Sequence, residues 1–145
     1  MPAHVQADID APMSAVWELI SDFGGLMRWH PGLERCESIG SGVGAMRICY
    51  LRASSTQGSL WMKERLDHID DESHVLEYSM QGGNPTEFVG AKARMTLSSL
   101  AARRTRLDWI SGVHDAHENA TAINSKLEAY YPLRIAHLKA ALGLG

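Results

Sequence analysis

Apolar and polar residues alternate along seven stretches of the chain before the pattern changes near the C-terminus. The alternating stretches cover residues 3–9, 33–40, 43–52, 58–69, 74–81, 86–98 and 104–112. A period of two is typical of β-strands with one face buried. The short connections between them are rich in turn residues, such as Gly40-Ser41-Gly42, and short connections favour antiparallel neighbours. The pattern therefore predicts a seven-stranded antiparallel sheet.

The last part of the chain has a helical period instead. From about residue 116 to residue 142, apolar side chains recur at three- and four-residue steps. The stripe consists of Ile123, Leu127, Tyr130, Tyr131, Ile135, Leu138 and Leu142. This spacing places them on one face of a long helix. It is the one predicted element large enough to cover such a sheet, so we expect the helix to pack across it.

Two shorter helices are predicted between the first and second strands. Pro12 suits the first helical position because its missing N–H would be unpaired there, and Asp10 places a negative charge beside the helix N-terminus. An apolar face runs from Val16 to Phe23, and the pair Gly24-Gly25 ends the helix. A second helical turn carrying Trp29 follows.

The opening segment DIDAPMSAVWELISDFGGLMRWHP, residues 8–31, resembles the N-terminal signature of polyketide cyclase/dehydrase-like proteins in the START-related (SRPBCC) superfamily. Later segments follow in the same order: GVGAMRICYL, KERLDHIDDESHVLEYSM, a Gly-Gly loop, RLDWISG and LRIAHLKAAL. The resemblance covers nearly the whole chain. It implies an α+β helix-grip fold, in which a curved seven-stranded antiparallel sheet wraps around the C-terminal helix, with two short helices after the first strand. Residues 1–145 then form a single ligand-binding domain.

Composition narrows the choice of partners. The formal net charge of −3 and a pI near 6.1 leave no basic excess for a phosphate backbone, so nucleic acid is not expected. No apolar run approaches the eighteen or so residues of a membrane span, and no leader-like segment opens the chain. We therefore expect a cytoplasmic protein. Its oligomeric state stays open, with a homodimer as one option.

The cysteines and histidines do not suggest a metal site. Cys36 and Cys49 lack metal-ligand spacing, and in a reducing compartment their thiols are expected to be free. The segment 114–118, HDAHE, crowds possible ligands but lacks the order that places two imidazoles on one helical face. We expect neither metal nor cofactor.

Alternation also predicts which side chains face the helix. Met62, Glu64 and Leu66 share the apolar face of the fourth strand with Leu60, and Tyr78 shares that of the fifth with Leu76 and Met80. In the third strand, apolar content alone would point Arg47 outward. The resemblance places an Arg of this strand on the pocket side, and an ionised Glu64 needs a cation if it is buried. Arg47, Glu64 and Tyr78 are therefore the candidate catalytic residues.

The candidate ligand contacts are Met62, Leu66, Met80, Trp109 and Tyr131, which line an expected cavity between the sheet and the C-terminal helix. Apolar walls with a few polar groups suit a hydrophobic cyclic or polyketide-like small molecule. Arg47 could stabilise an enolate while Glu64 or Tyr78 moves a proton, giving a cyclase or dehydrase of the lyase or isomerase type. The alternative is a non-catalytic carrier or sensor, in which Arg47 and Glu64 only brace two strands. A looser resemblance extends to plant abscisic acid receptors, although their Pro-containing gate and His-Arg-Leu latch are not matched.

Overall fold

The computed structural model describes residues 2–52 and 60–144. In chain order its elements are β1 (Ala3–Ile9), α1 (Met13–Ser21), a 3₁₀ helix (Phe23–Arg28), β2 (Leu33–Ile39), β3 (Met46–Leu51), β4 (Trp61–Asp70), β5 (Val75–Asn84), β6 (Lys92–Ala101), β7 (Arg104–Gly112) and α2 (Ala120–Ala141). No helix within these ranges is long and apolar enough to cross a membrane.

The seven strands form one antiparallel sheet in the order β1-β7-β6-β5-β4-β3-β2. Strands β2 to β7 are consecutive neighbours, and β1 joins the far edge beside β7. The chain crosses from β1 to the opposite edge through α1 and the 3₁₀ helix, while α2 packs against β1 and β7. The predicted α+β helix-grip fold is confirmed.

The sixth strand begins six residues later than the alternation predicts. The sixth was expected from residue 86, but β6 starts at Lys92 because β5 continues to Asn84 and a turn fills the space between them. Gly90 lies in that turn at φ +92°, a conformation that suits glycine. Gly90 donates its backbone N–H to the Met80 carbonyl at 2.9 Å, so the turn is tied to the strand it leaves.

The two cysteines do not have free thiols. Cys36 on β2 and Cys49 on β3 lie directly opposite each other in the register and form a disulfide. The expectation of free thiols was wrong because a hairpin brings together residues that are 13 positions apart. Disulfides are rare in a reducing compartment, so this pairing gives no support to the expected cytoplasmic location.

A hydrophobic core occupies the side of the sheet nearest α2. Ile9, Leu107 and Leu138 are each fully buried there, and Val16 of α1 joins the same cluster. Burying each such side chain contributes about 1.5–3 kcal/mol. The N-terminal part of α2 is fixed by Asn124, whose Oδ1 accepts the Val113 N–H at 3.1 Å.

Candidate functional site

A cavity of about 320 Å³ opens between α2 and the concave face of strands β3 to β7. Its walls are mainly apolar and aromatic, and α1 and the 3₁₀ helix contribute residues at one end. The cavity borders the hydrophobic core, and core residues such as Trp109 and Tyr131 form part of its wall. Helix α2 packs on β1 and β7 and leaves the middle of the sheet less covered.

Four of the five predicted ligand contacts line this cavity, namely Met62, Met80, Trp109 and Tyr131. Leu66 does not. It shares the inward face of β4, but its side chain packs into the hydrophobic core at 3% exposure. Strand alternation identifies which face a residue occupies, but it does not indicate how far along the strand a cavity extends.

Trp61 lines the cavity although alternation placed it on the outer face of β4. The register between β4 and β5 shifts between Lys63 and Glu64. The extra residue of that shift, Gln81, lies in β5, and the Trp61 ring packs beside the neighbouring Gly82.

Arg47 and Glu64 lie opposite each other on β3 and β4, and both point inward. The Arg47 Nε–H donates to Glu64 Oε1 at 2.9 Å. The two residues are only 6% and 8% exposed, so this ion pair is shielded from bulk water. The cavity side of β3 is thus the one that carries Arg47.

Three further contacts hold the Arg47 guanidinium in place. Its Nη1 donates to the Phe23 carbonyl at 3.0 Å. Its carbon lies 4.0 Å from the centre of the Phe23 ring and 5.1 Å from that of Tyr78. A guanidinium between two aromatic rings gains cation–π attraction in addition to its ion pair. Arg47 is therefore a fixed cation in the cavity wall.

Tyr78 and Tyr131 add two buried phenols to the same cavity. Burial raises the pKa of Tyr78 well above its ordinary value and also raises that of Tyr131, with the Glu64 charge acting in the same direction. Both hydroxyls thus stay protonated at neutral pH. Trp109 stacks on Tyr131 with ring centres 4.1 Å apart, and its buried Nε1–H faces the Tyr78 hydroxyl, where it acts against the rise in the pKa of that phenol.

A second polar group, formed by His30, Tyr130 and Arg134, also lines the cavity. Arg134 Nη1 lies 2.8 Å from each ring nitrogen of His30. The Gly32 N–H donates to Nδ1 at 3.2 Å, so Nε2 carries the proton and faces the Tyr130 hydroxyl at 3.2 Å. Burial, with a further contribution from the Arg134 charge, lowers the pKa of His30 to about 4. His30 is accordingly neutral at pH 7.

Sequence reasoning missed both His30 and Arg134. A signal was present for Arg134, since it follows Tyr131 by three residues and precedes Leu138 by four. That spacing places its side chain on the buried face of α2. Only apolar residues were counted when the stripe was read, so a cation within it escaped notice.

The described residues contain no group of three or more His, Cys, Asp or Glu side chains able to hold a metal ion. The cavity wall itself supplies several polar side chains. These are a fixed ion pair, two protonated phenols, a neutral imidazole and a buried guanidinium around an apolar space.

Among curated proteins, the chain is 31% identical to abscisic acid receptor PYL6 of Arabidopsis thaliana over 83 residues. It is also 31% identical to receptor PYL7 of the same plant over 77 residues. These matches cover 55% and 52% of this chain but only 38% and 36% of the receptors. The chain therefore matches little more than a third of the length of these relatives.

Among solved structures, a Thermobifida fusca protein studied by solution NMR superposes with a TM-score of 0.78 at 22% identity, over 99% of this chain and 94% of that one. The di-domain ARO/CYC BexL from the BE-7585A biosynthetic pathway also gives 0.78, at 13% identity, over 99% of this chain and 47% of that one. At such identities the likeness concerns the fold. The model of a known family matches residues 3–143. The chain belongs to the polyketide cyclase/dehydrase and lipid transport family.

Proposed function

We propose that this protein binds a compact, hydrophobic cyclic molecule that carries oxygen groups, in the cavity between the sheet and α2. The observation that carries the proposal is an apolar cavity of about 320 Å³ into which a few buried polar side chains converge. Binding sites for small molecules commonly combine apolar walls, which supply buried area, with a few polar groups, which fix orientation.

The size of the cavity favours a ring system over a long chain. Its volume corresponds to about ten water molecules at liquid density and lies near the lower end of the usual range for ligand pockets. Aromatic side chains, including Trp29, Trp61 and Trp109, line it and suit the faces and edges of a flat ligand.

The polar groups suit ligand oxygens. Tyr78 and Tyr131 have protonated hydroxyls that can donate to a carbonyl or hydroxyl, and the Trp109 N–H is a further buried donor. Family membership and the named ligand of the receptor relatives support a small organic molecule as the partner.

Catalysis is a second candidate, and one contact favours it. The Tyr78 ring lies beside the Arg47 guanidinium, 5.1 Å from its carbon, within the same cavity. A protonated phenol next to a fixed cation is suited to protonate or polarise a carbonyl while the cation stabilises an enolate. Cyclisation or dehydration of a polyketide-like substrate would use these two roles, with Glu64 holding Arg47 in place.

Binding is tested with the neutral fluorophore N-phenyl-1-naphthylamine. We expect one molecule to bind per chain and to quench tryptophan fluorescence, because three of the four tryptophans line the cavity. Ala93→Phe fills the cavity from β6 and should abolish binding. Arg94→Phe adds the same ring one position along, at an exposed residue, and should leave binding intact. Equal binding by Ala93→Phe and the wild-type protein would contradict the proposed location.

Catalysis is tested with the double variant Arg47→Leu/Glu64→Leu on candidate polyketides. If the ion pair serves chemistry, the double variant should fold and bind but give no cyclised or dehydrated product. If it only braces β3 and β4, a stable double variant should keep whatever binding and turnover the wild-type protein shows, and the catalytic role is rejected.

A further inference from the structure

Two arginines line the cavity, and only one of them has an acidic partner. Arg47 is paired with Glu64. Arg134 is just 8% exposed, yet it forms no ion pair with any residue in the described ranges. The residues of 53–59, which lie outside those ranges, include no aspartate or glutamate. Arg134 is therefore a buried cation whose charge this segment cannot balance.

The contacts that Arg134 does make leave part of it unsatisfied. Its Nη1 reaches the neutral His30 at 2.8 Å, and its guanidinium carbon lies 4.5 Å from the centre of the Tyr130 ring. Its Nε is buried and has no hydrogen-bond partner within the described part of the chain. An imidazole and an aromatic face orient a guanidinium, but neither supplies a negative charge.

The other charges around the cavity do not compensate. Lys126 lies at its border and is paired with Glu87 at 3.0 Å. Glu64 is the single acidic side chain among the described lining residues, and Arg47 engages it. The unbalanced positive charge of the cavity thus rests on Arg134. Burying a cation without a counter-ion is strongly unfavourable, so the arrangement suits an anion supplied from outside.

We infer that the ligand carries a carboxylate, which binds to Arg134 at the α2 wall while its ring system lies among the aromatic side chains. The inference rests on the proposed binding function and specifies the ligand class as cyclic carboxylic acids. A guanidinium pairs with a carboxylate through two parallel N–H bonds, and the unpartnered Nε is one of the donors that such a pair uses. Arg47, in contrast, already uses its Nε on Glu64.

The test compares two probes that differ in charge but hardly in shape, 2-naphthoate and 2-naphthamide, by calorimetric titration at pH 7. We expect the wild-type protein to bind 2-naphthoate at least tenfold more tightly, because a charge-assisted bond to a buried arginine is absent for the amide. Arg134→Met should remove this preference while leaving the amide affinity within about threefold. Arg134→Lys should retain part of it.

Arg94→Met is the matched control, since it removes one positive charge from the exposed surface of β6 and should keep the full preference. Equal wild-type affinities for the two probes would overturn the carboxylate inference and leave the binding function standing. The same holds if Arg134→Met folds and keeps the preference. If neither probe binds and N-phenyl-1-naphthylamine also fails, the proposed function falls and this inference with it.

Discussion

The two halves of the space beneath the sheet are built differently. Where β1 and β7 meet α2, the interior is filled by side chains that are fully buried, namely Ile9, Leu107 and Leu138. Away from β1, the same sheet encloses a cavity beneath β3 to β7, and its wall includes the buried charges of Arg47 and Glu64. Helix α2 thus packs directly on the sheet at the β1–β7 side, which we call the solid half. It covers the cavity on the other side, which we call the hollow half.

This difference separates stability from function. Apolar side chains in the solid half contribute to folding through burial, with no polar group left to satisfy. In the hollow half, the side chains leave an unfilled cavity, and buried polar groups lie in its wall, where a ligand can contact them. Changes in the solid half should therefore affect stability alone, whereas changes in the hollow half should affect binding.

The largest effect is expected from breaking the buried ion pair. Arg47→Met leaves Glu64 buried beside no cation, and we expect a loss of about 3–5 kcal/mol in the free energy of unfolding. Adding Glu64→Met to the same chain should recover much of this loss, because no buried charge remains. Urea unfolding of the two variants measures both effects.

An exposed pair on β4 provides the control. Arg65 and Asp67 are 2.8 Å apart, but the Arg65 side chain is about half exposed, so Arg65→Met should cost less than about 1 kcal/mol. If Arg47→Met costs no more than this surface variant, the ion pair of the hollow half is not shielded as described.

In the solid half, Leu107→Ala should destabilise the protein by about 2–5 kcal/mol. Leu107 is fully buried and does not line the cavity, so the affinity for N-phenyl-1-naphthylamine should stay unchanged when folding is complete. Thermal unfolding and a titration at low temperature separate the two quantities. A large loss of affinity in the folded variant would show that the halves are not independent.

Much of this division could be predicted from the sequence. Period-two alternation placed β1 and β7 at the observed bounds, because one face of β7 is buried throughout and both end residues of β1 are buried. The prediction of an inward Arg47 came from combining a family resemblance with the need of a buried Glu64 for a cation. The structure places both residues in the cavity wall, while their role stays a prediction.

The remaining features depend on tertiary geometry. The Cys36–Cys49 disulfide forms across a hairpin, and Trp61 lines the cavity although it belongs to the strand face that alternation assigns to the outside. Arg134 was missed because a helical stripe was read for apolar residues alone. In each case, the surroundings of the side chain depend on a neighbouring element of the fold, and the local sequence pattern does not describe that neighbour.

The effect of pH on the free energy of unfolding should be smaller than that of breaking the ion pair, and it should arise from His30 in the hollow half. The pKa of His30 is lowered to about 4 from 6.5, so the unfolded chain binds its proton more readily than the folded one. Stability from this group is complete above pH 6.5 and is lost as the pH falls toward 4. We expect a loss of about 2 kcal/mol between pH 7 and pH 5.

His30→Gln isolates this contribution. His137 also has a lowered pKa, through burial and the Arg134 charge, so its contribution has the same sign and remains in the variant. Urea unfolding at the two pH values should show a flatter dependence for His30→Gln than for the wild-type protein. Parallel curves would contradict the buried, neutral state of His30.

A small stability effect is expected at a cavity wall. Met62→Ala removes a half-buried side chain that already borders empty space, so it should cost only about 1 kcal/mol, well below the cost of Leu107→Ala. Its effect on affinity should be larger in proportion, because the ligand loses a wall contact. Urea unfolding measures the loss of stability, and titration with N-phenyl-1-naphthylamine measures the loss of affinity.

A crystal structure of the protein with bound N-phenyl-1-naphthylamine tests the central claim most directly, because it locates the ligand without reference to any variant. The account predicts one molecule between the sheet and α2, with its rings in contact with Trp109 and Met62. Density for the probe elsewhere on the molecule, with the cavity filled by rearranged side chains, would contradict it.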